Sequence, residues 1–185
     1  MNNVNKETNF MIDLETLSTN NDAVICSIAI VEFDIKTGKI LDSFYEVINI
    51  QSCLEKNLSI DGKTIQWWLL QPLEARLEIC KEGKSLDIVI NKIYEKMNKN
   101  TDYNIVWGNG SSFDISILST AFIKCKTKIP WLYKNIRDLR TIVALNPIIK
   151  EKHVFQGDKH NPLHDCNNQI KYLIETLQTI QIITN

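Results

Sequence analysis

The sequence lacks the features that mark secreted, membrane-spanning or zinc-stabilised proteins. No apolar run approaches the ~18 residues that a transmembrane helix needs, and the polar residues 1–8 contain no hydrophobic signal-peptide core. The five cysteines are scattered, odd in number and include no C-x-x-C pair, which argues against a disulfide framework and a zinc knuckle. Internal repeats, linkers and low-complexity segments are also absent. These absences predict a protein of the reducing cytoplasm without a membrane segment.

The length and composition predict one globular domain over residues 1–185, with 44% hydrophobic residues to fill its core. The net charge of −1 is unevenly distributed. Residues 121–160 contain nine basic and three acidic residues, whereas residues 1–60 contain nine acidic and four basic ones. A basic face beside a carboxylate-rich region suits a polyanionic substrate. The alternative is a solvated lysine-rich surface, which charge alone favours.

The hydrophobic pattern predicts a sheet that is covered by helices. Runs rich in β-branched residues, with turn signals between them, predict an antiparallel meander of three strands over 10–14, 23–33 and 40–50. The remaining pattern predicts helices within 64–80 (kinked or divided at Pro72), 85–98 (capped by Ser85), 111–122 (capped by Ser111 or Ser112), 139–145 (ended by Pro147) and 163–180, with strands at 104–107 and 136–139. Asn161 and Pro162 are the expected cap and first residue of the last helix. This order indicates one mixed sheet.

Four carboxylates and one histidine stand at the ends of these predicted elements. Asp13 and Glu15 lie two residues apart on the first strand and therefore on one face of it. Asp114 follows the fourth strand, and Asp165 stands with His160 at the start of the last helix. Oxygen ligands of this number suit Mg²⁺ or Mn²⁺ rather than zinc. Two such ions ~4 Å apart would hold the attacking and leaving oxygens of a phosphoryl displacement.

Three motifs carry these residues: Asp13-Leu-Glu15-Thr16, Trp107-Gly-Asn-Gly-Ser-Ser-Phe-Asp114 and His160-x4-Asp165. The set resembles the DEDDh exonucleases, a family with an RNase H-like fold. Further similarity lies in Ile12-Asp-Leu-Glu-Thr-Leu17, Trp67-Trp68, Gln71, Trp107-Gly-Asn-Gly110, Phe113-Asp114, Pro130-Trp131 and Arg137-Asp138-Leu-Arg-Thr141. Together these resemble the subfamily that contains phage exonuclease A and a mycobacterial 3′-to-5′ exoribonuclease, over nearly the whole chain.

The resemblance implies an RNase H-like α/β fold, in which a mixed five-stranded sheet of an antiparallel meander plus parallel strands is flanked by helices. It implies a 3′-to-5′ exonuclease that hydrolyses single-stranded DNA or RNA, or short oligonucleotides, and releases nucleoside 5′-monophosphates. Asp13, Glu15, Asp114 and Asp165 would hold two Mg²⁺ or Mn²⁺ ions, and His160 would deprotonate the attacking water. A histidine suits this role because its pKa lies near neutrality. No motif distinguishes DNA from RNA.

The resemblance also implies where the 3′ end of the substrate binds. Residues around Thr16 and Leu17 would receive the terminal nucleotide, with Leu17 or Phe113 wedged against its base. Trp68 is a further candidate for base stacking, as is its neighbour Trp67, although a tryptophan on a predicted helix is more often part of the core. Relatives of this kind are often homodimers, and they work in bacterial or phage-infected cytoplasm.

The sequence leaves several alternatives open. Where relatives often have a small and an acidic residue, this chain has Pro162 and His164, so His164 competes with His160 as the base. Arg137 and Arg140 contact the substrate backbone or pair with Asp138. The rival functions are a non-catalytic nucleic-acid-binding module on the same fold and a structure-selective endonuclease.

Overall fold

The computed structural model describes the backbone of residues 7–183 and the side chains of residues 7–180. Residues 1–6, which contribute to the prediction about secretion, lie outside the described residues. Five strands form a single sheet: β1 (Thr8–Thr16), β2 (Ile25–Phe33), β3 (Ile40–Val47), β4 (Asn104–Gly108) and β5 (Ile136–Asp138).

The order of the strands across the sheet is β3-β2-β1-β4-β5. The pairs β1–β2 and β2–β3 are antiparallel, whereas β4 is parallel to β1 and β5 is parallel to β4. The predicted meander and the predicted mixed five-stranded sheet are therefore confirmed. Because β1, β4 and β5 are parallel, their carboxyl ends meet at one edge of the sheet.

Eight α-helices surround the sheet in the described part of the chain. They are α1 (Ile50–Glu55), α2 (Gly62–Leu69), α3 (Leu73–Ile79), α4 (Leu86–Met97), α5 (Asp114–Lys124), α6 (Leu139–Val143), α7 (Pro147–Lys152) and α8 (Pro162–Ile183). The predicted division at Pro72 is confirmed, since this residue separates α2 from α3.

Two predicted boundaries are wrong. The third strand ends at Val47 instead of continuing to residue 50, because the Asn49 side chain accepts a hydrogen bond from the Ser52 N–H and starts α1 there. Pro147 begins α7 instead of only ending α6. Proline is well suited to a first helical position, where the backbone N–H that it lacks has no helical partner.

The predicted helix caps have mixed outcomes. Asn161 caps α8 as predicted, since its Oδ1 accepts from two backbone N–H groups of the first turn at 3.1 and 3.3 Å. Ser85 precedes α4 but makes no capping hydrogen bond; the Ser52 hydroxyl accepts from the first N–H of α4 at 2.9 Å. The cap predicted at Ser111 or Ser112 is wrong, because α5 begins directly after Phe113 and has no side-chain cap.

Apolar side chains fill both faces of the sheet. Because side chains alternate along a strand, Ile12 faces the cluster that packs under α2–α5, and Met11 faces the cluster under α6–α8. The long helix α8 packs directly on β1 and β2. The strand β1 is therefore packed between two apolar clusters, one on each face of the sheet.

The five cysteines are all free thiols, which agrees with the prediction that no disulfide framework exists. Among the described residues, none of the helices combines the length and the apolar character needed to traverse a lipid bilayer.

Asn104 lies at the start of β4 and joins the sheet to the segments that contain Met97 and Pro130. Its buried amide donates to the carbonyls of Met97 and Pro130, both at 2.7 Å. We expect Asn104→Ala to lower the free energy of unfolding by about 2–4 kcal/mol, because two buried carbonyls lose their donor. Urea denaturation measures the loss. The exposed Asn21→Ala is the control, and equal values for the two variants would contradict this account.

Candidate metal centre and nuclease site

Three carboxylates from distant parts of the chain converge at the carboxyl end of β1. One ligand atom each from Asp13, Glu15 and Asp165 lies within 4.8 Å of the other two. The β1–β2 register shifts between Glu15 and Thr16, at the point where the strand leaves the sheet. Of the four carboxylates that the sequence singles out, three therefore lie in one group in the structure.

Asp114 is the fourth carboxylate and lies beside this group. It is the first residue of α5, is 4% exposed, and accepts a hydrogen bond from the Leu14 N–H at 3.3 Å. A Cβ at Gly108 would lie 3.4 Å from Asp114, so the absent side chain lets the aspartate pack on the end of β4. Gly110, at φ +107°, closes the predicted turn, and its carbonyl accepts from the Phe113 N–H at 2.7 Å.

The electrostatics of the cluster favour a bound cation. Burial, together with the nearby Asp165 and Asp114, raises the pKa of Glu15 to about 8. Burial also raises the pKa of Asp114 to about 7, against an opposing effect of Arg140, and that of Asp165 to about 6. Asp13 has a pKa well above its usual range because of burial and its acidic neighbours. Negative charges held this close require a compensating positive charge.

The donor chemistry of the cluster fits a hard divalent cation. All four side chains offer carboxylate oxygens, and the buried Oδ2 of Asp165 has no hydrogen-bond partner. Oxygen-only ligand sets are typical of Mg²⁺ and Mn²⁺, whereas zinc sites normally include cysteine or several histidines.

His160 lies next to this cluster in a strained backbone conformation. Its φ is +62°, a region that histidine adopts more readily than most residues. The Nδ1 atom lies 4.0 Å from Oε1 of Glu15, and about a third of the side chain is exposed. Burial and the adjacent Lys159 lower the pKa of His160 below its usual value. The lowered pKa favours the neutral imidazole, which a proton acceptor requires.

Two tryptophans hold the His160 ring at its edges. The ring centroids of Trp67 and Trp68 lie 5.1 and 6.0 Å from that of His160, both in T-shaped geometry. Trp68 is 3% exposed, and its Nε1 donates to the Thr16 carbonyl at 2.8 Å. The alternative that Trp68 belongs to the core is therefore correct. Only the small part of its ring that lines a cavity is accessible to a base. Trp67 is 43% exposed and is accessible to a ligand.

His164 contacts Asp158 instead of the carboxylate cluster. Its Nδ1 accepts from the Asp158 N–H at 3.0 Å and lies 3.7 Å from the Asp158 carboxylate. Gly157, at φ +95°, leaves room for this ring, since a Cβ there would lie 2.8 Å from it. The structure therefore places His164 against the loop that precedes α8, whereas His160 faces the carboxylates.

Sequence reasoning missed two polar residues of α8. The buried Gln169 donates from Nε2 to Oδ1 of Asp13 at 2.7 Å. Asn168 fastens the preceding loop: its Oδ1 contacts the Gln156 N–H and His153 Nε2, and its Nδ2 donates to two backbone carbonyls. Helical spacing offered a signal for Gln169, because residues four apart share a face and Asp165 was already assigned to the site.

A cavity of ≈ 560 Å³ opens on the Glu15 side of the cluster, a volume within the range of small-ligand pockets. Of the residues predicted to contact substrate, Thr16, Trp68 and Phe113 line it. Leu17 does not: it is 5% exposed and packs in the core, so the structure provides no exposed Leu17 side chain to wedge against a base.

The ion pair of Asp138 with an arginine, which the sequence left open as one of two alternatives, is absent from the described part of the chain. Asp138 instead caps α6 through the Thr141 N–H and accepts from the Ser111 N–H at 2.6 Å. Arg137 donates to backbone carbonyls. Arg140 lies beside the turn after β4, with its guanidinium carbon 3.4 Å from where a Cβ on Gly110 would be.

Sequence comparison finds two clear similarities. Residues 8–177 match the family described as the 3′-5′ exoribonuclease Rv2179c-like domain. The chain is also similar to an exodeoxyribonuclease of Enterobacteria phage T4, with 24% identity over 197 aligned positions that cover 87% of this chain and 85% of the phage protein.

Solved structures with the same fold include two exonucleases. The zinc-bound complex of E. coli ExoI with ssDNA matches with a TM-score of 0.68 and 14% identity, over 94% of this chain and 41% of that one. The nuclease domain of 3′hExo, a DEDDh family member bound to rAMP, matches with a TM-score of 0.61 and 15% identity, over 94% and 93% of the two chains. The chain thus spans about two fifths of the length of ExoI. The RNase H-like fold predicted from the sequence is confirmed.

The raised carboxyl pKa values predict how pH affects the metal-free protein. Each carboxyl binds its proton more tightly in the folded chain, so the free energy of unfolding falls as pH rises from about 4, the ordinary value, to about 8, the value for Glu15. In EDTA we expect the Tm to fall over this window by several degrees, at roughly 2–4 °C per kcal/mol. Mg²⁺ or Mn²⁺ should remove most of this decrease.

Thermal melts of two variants sharpen this test. Glu15→Gln should flatten the pH dependence in EDTA, whereas the exposed Glu55→Gln should not change it. A metal-free Tm that stays constant between pH 5 and 8, or that does not respond to added metal, would show that the carboxylates do not form a cation site.

Proposed function

Because the chain belongs to the 3′-5′ exoribonuclease Rv2179c-like domain family, we propose that it hydrolyses single-stranded DNA or RNA, or short oligonucleotides, from the 3′ end by a two-metal mechanism. Family membership makes the chain a 3′-5′ exonuclease that acts on nucleic acid, and its fold is that of the DEDDh exonucleases. The observation that carries the finer proposal is the group of Asp13, Glu15 and Asp165 within 4.8 Å, with His160 4.0 Å from Glu15.

In this proposal Asp13, Glu15, Asp114 and Asp165 hold two Mg²⁺ or Mn²⁺ ions. When bound, the ions neutralise the developing charge on the phosphate and align the attacking and leaving oxygens. Burial strongly raises the pKa of Asp13, and all three other carboxylates raise it as well. Gln169 supports Asp13 by orienting one of its oxygens through the 2.7 Å hydrogen bond. We therefore expect Asp13 to be the most sensitive position.

His160 acts as the general base. Its neutral imidazole takes a proton from the attacking water, and the edges of Trp67 and Trp68 restrict the ring. Burial and Lys159 lower the pKa of His160, so the imidazole loses its proton at a lower pH than an ordinary histidine does. On the acidic side, the rate should therefore fall only below the pKa of an ordinary histidine.

The cavity on the Glu15 side receives the 3′-terminal nucleotide. Phe113 and the half-exposed Trp67 offer apolar surface for the base, and Thr16 lies next to Glu15 at the mouth of the metal centre. Trp68 acts mainly by holding the Thr16 carbonyl. Leu17 acts through its buried packing, which supports the turn after β1. Contacts of this kind read the end of a strand rather than its sequence.

We further propose that residues 1–185 act as one exonuclease domain. A homodimer and a location in bacterial or phage-infected cytoplasm stay predictions from the resemblance. Size-exclusion chromatography with light scattering decides the oligomeric state.

A strand-shortening assay tests the function. With Mg²⁺ or Mn²⁺, 5′-labelled single strands of DNA and RNA should yield a ladder that shortens from the 3′ end and releases nucleoside 5′-monophosphates. Asp13→Ala should lower the rate by at least about 10³-fold, because the carboxylate of Asp13, a proposed metal ligand, is lost. Internal cuts would favour the structure-selective endonuclease. Binding without cleavage would favour the non-catalytic module.

Separate histidine variants test the assignment of the base. We expect His160→Ala to lower kcat by about 10²–10⁴-fold, the usual contribution of a general base. His164→Ala should have a much smaller effect, since this ring binds the Asp158 N–H. The acidic limb of the pH–rate profile should be present in the wild type and in His164→Ala. Full activity of His160→Ala would overturn the assignment.

A further inference from the structure

We propose that Arg140, Lys150 and Lys159 form a track that binds phosphates of the substrate strand on the 5′ side of the cleaved bond. The proposal rests on the proposed exonuclease function and specifies the substrate as a polynucleotide that extends past the metal centre. These three residues are called the phosphate track below.

The phosphate track borders the metal centre through a cavity that shares no lining residue with the nucleotide cavity. A cavity of ≈ 250 Å³ is lined by Asp165 and Gln169 and also by Lys150 and Lys159. A second cavity, of ≈ 450 Å³, is lined by Lys150, Arg140 and the acidic Glu151. Because the two cavities share Lys150, they connect the metal ligand Asp165 with Arg140 on α6.

Within the described residues the cations of the phosphate track form no close ion pair, although Arg140 lowers the pKa of Asp114 and Lys159 lowers that of Asp165 from a longer distance. No Asp or Glu oxygen lies within 4.0 Å of these side chains, whereas Lys84 and Lys92 both pair with Glu46 elsewhere on the surface. The Lys150 Nζ lies 5.6 Å from the Tyr172 ring centroid, a contact that positions the ammonium without neutralising it. Because no carboxylate contacts these cations directly, their charged groups can contact phosphate beside the site for the phosphodiester.

In this proposal the strand runs from the cavity lined by Glu15, across the carboxylates, to the cavity lined by Asp165. The terminal nucleotide occupies the cavity beside Glu15, and the cleaved phosphodiester lies at the carboxylates. The chain 5′ to that bond then leaves on the Asp165 side, where its next phosphates meet Lys159 and Lys150. Arg140, beside the turn after β4, lines the cavity that continues from Lys150. Contacts with phosphate carry no sequence information, which suits an enzyme that degrades any strand.

The phosphate track predicts that strand length and salt affect binding together. Each phosphate contact that a cation makes with a single strand adds about −0.7 to the slope of log K against log salt concentration. A dinucleotide ends before the track, so its binding should depend much less on these residues.

Anisotropy measurements of a 5′-labelled 12-nucleotide strand and of a dinucleotide test the track, in an Asp13→Ala background that prevents cleavage. Lys150→Gln and Lys159→Gln should each weaken binding of the long strand about threefold at low salt, and the double variant roughly tenfold. The salt slope should fall by about 0.7 per lysine. Lys150→Arg should restore both values.

The matched control is the exposed Lys128→Gln. Lys128 follows α5, whose start carries Asp114, and stands two residues before Pro130. The Asn104 amide binds the Pro130 carbonyl at the amino end of β4. Lys128 therefore lies at the opposite end of the sheet from the carboxylates, and its variant should keep the wild-type slope.

An unchanged slope in both track variants, an equal decrease in Lys128→Gln, or an equal loss for the dinucleotide would overturn the track. This outcome is distinct from failure of the exonuclease function. Shortening of strands by the wild type with unchanged slopes rejects the track alone, whereas altered slopes without any shortening reject the exonuclease alone.

Discussion

The parallel pairing of β1 with β4 is the constraint on which the site depends. The register places Ile12 opposite Gly108, so β1 continues into Asp13 and Glu15 where β4 ends. The turn after β4 then returns directly into α5 and sets Asp114 against the Leu14 N–H. An antiparallel pairing would send these ends to opposite edges of the sheet. One hydrogen-bonded ladder therefore joins carboxylates that are about a hundred residues apart.

The site concentrates charge that the rest of the fold must accommodate. Four acidic groups at the sheet edge repel one another, and burial disfavours their ionised forms. The apolar clusters on both faces of β1 hold the strand in place despite this repulsion. Gln169 supplies one neutral donor, and Arg140 opposes the effect of burial on Asp114. The protein itself thus supplies too little positive charge near the four acidic groups. A metal ion can supply it by direct coordination, and a basic surface can supply it without coordination.

Sequence periodicity predicted the parts of the structure that local rules determine. Alternation placed Asp13 and Glu15 on one face, and the Asn161-Pro162 pair marked the start of α8. Tertiary packing decided the rest. The burial of Leu17 and the attachment of Trp68 to Thr16 depend on how α2 packs on β1, which no local pattern reports. Asn168 was missed for the same reason, since its partners lie in an irregular loop.

The loop before α8 is tied to that helix at several points. Asn168 and His164, both on α8, hydrogen-bond to backbone groups between residues 156 and 158, and the turn at residue 160 leads straight into the helix. The same helix carries Asp165, and the buried Gln169 reaches Asp13. Base and ligand therefore belong to one connected segment of the chain. A shift of this segment relative to β1 would move the proton acceptor and Asp165 together away from Asp13 and Glu15, so the metal ligand set and the base would be lost or restored as a unit.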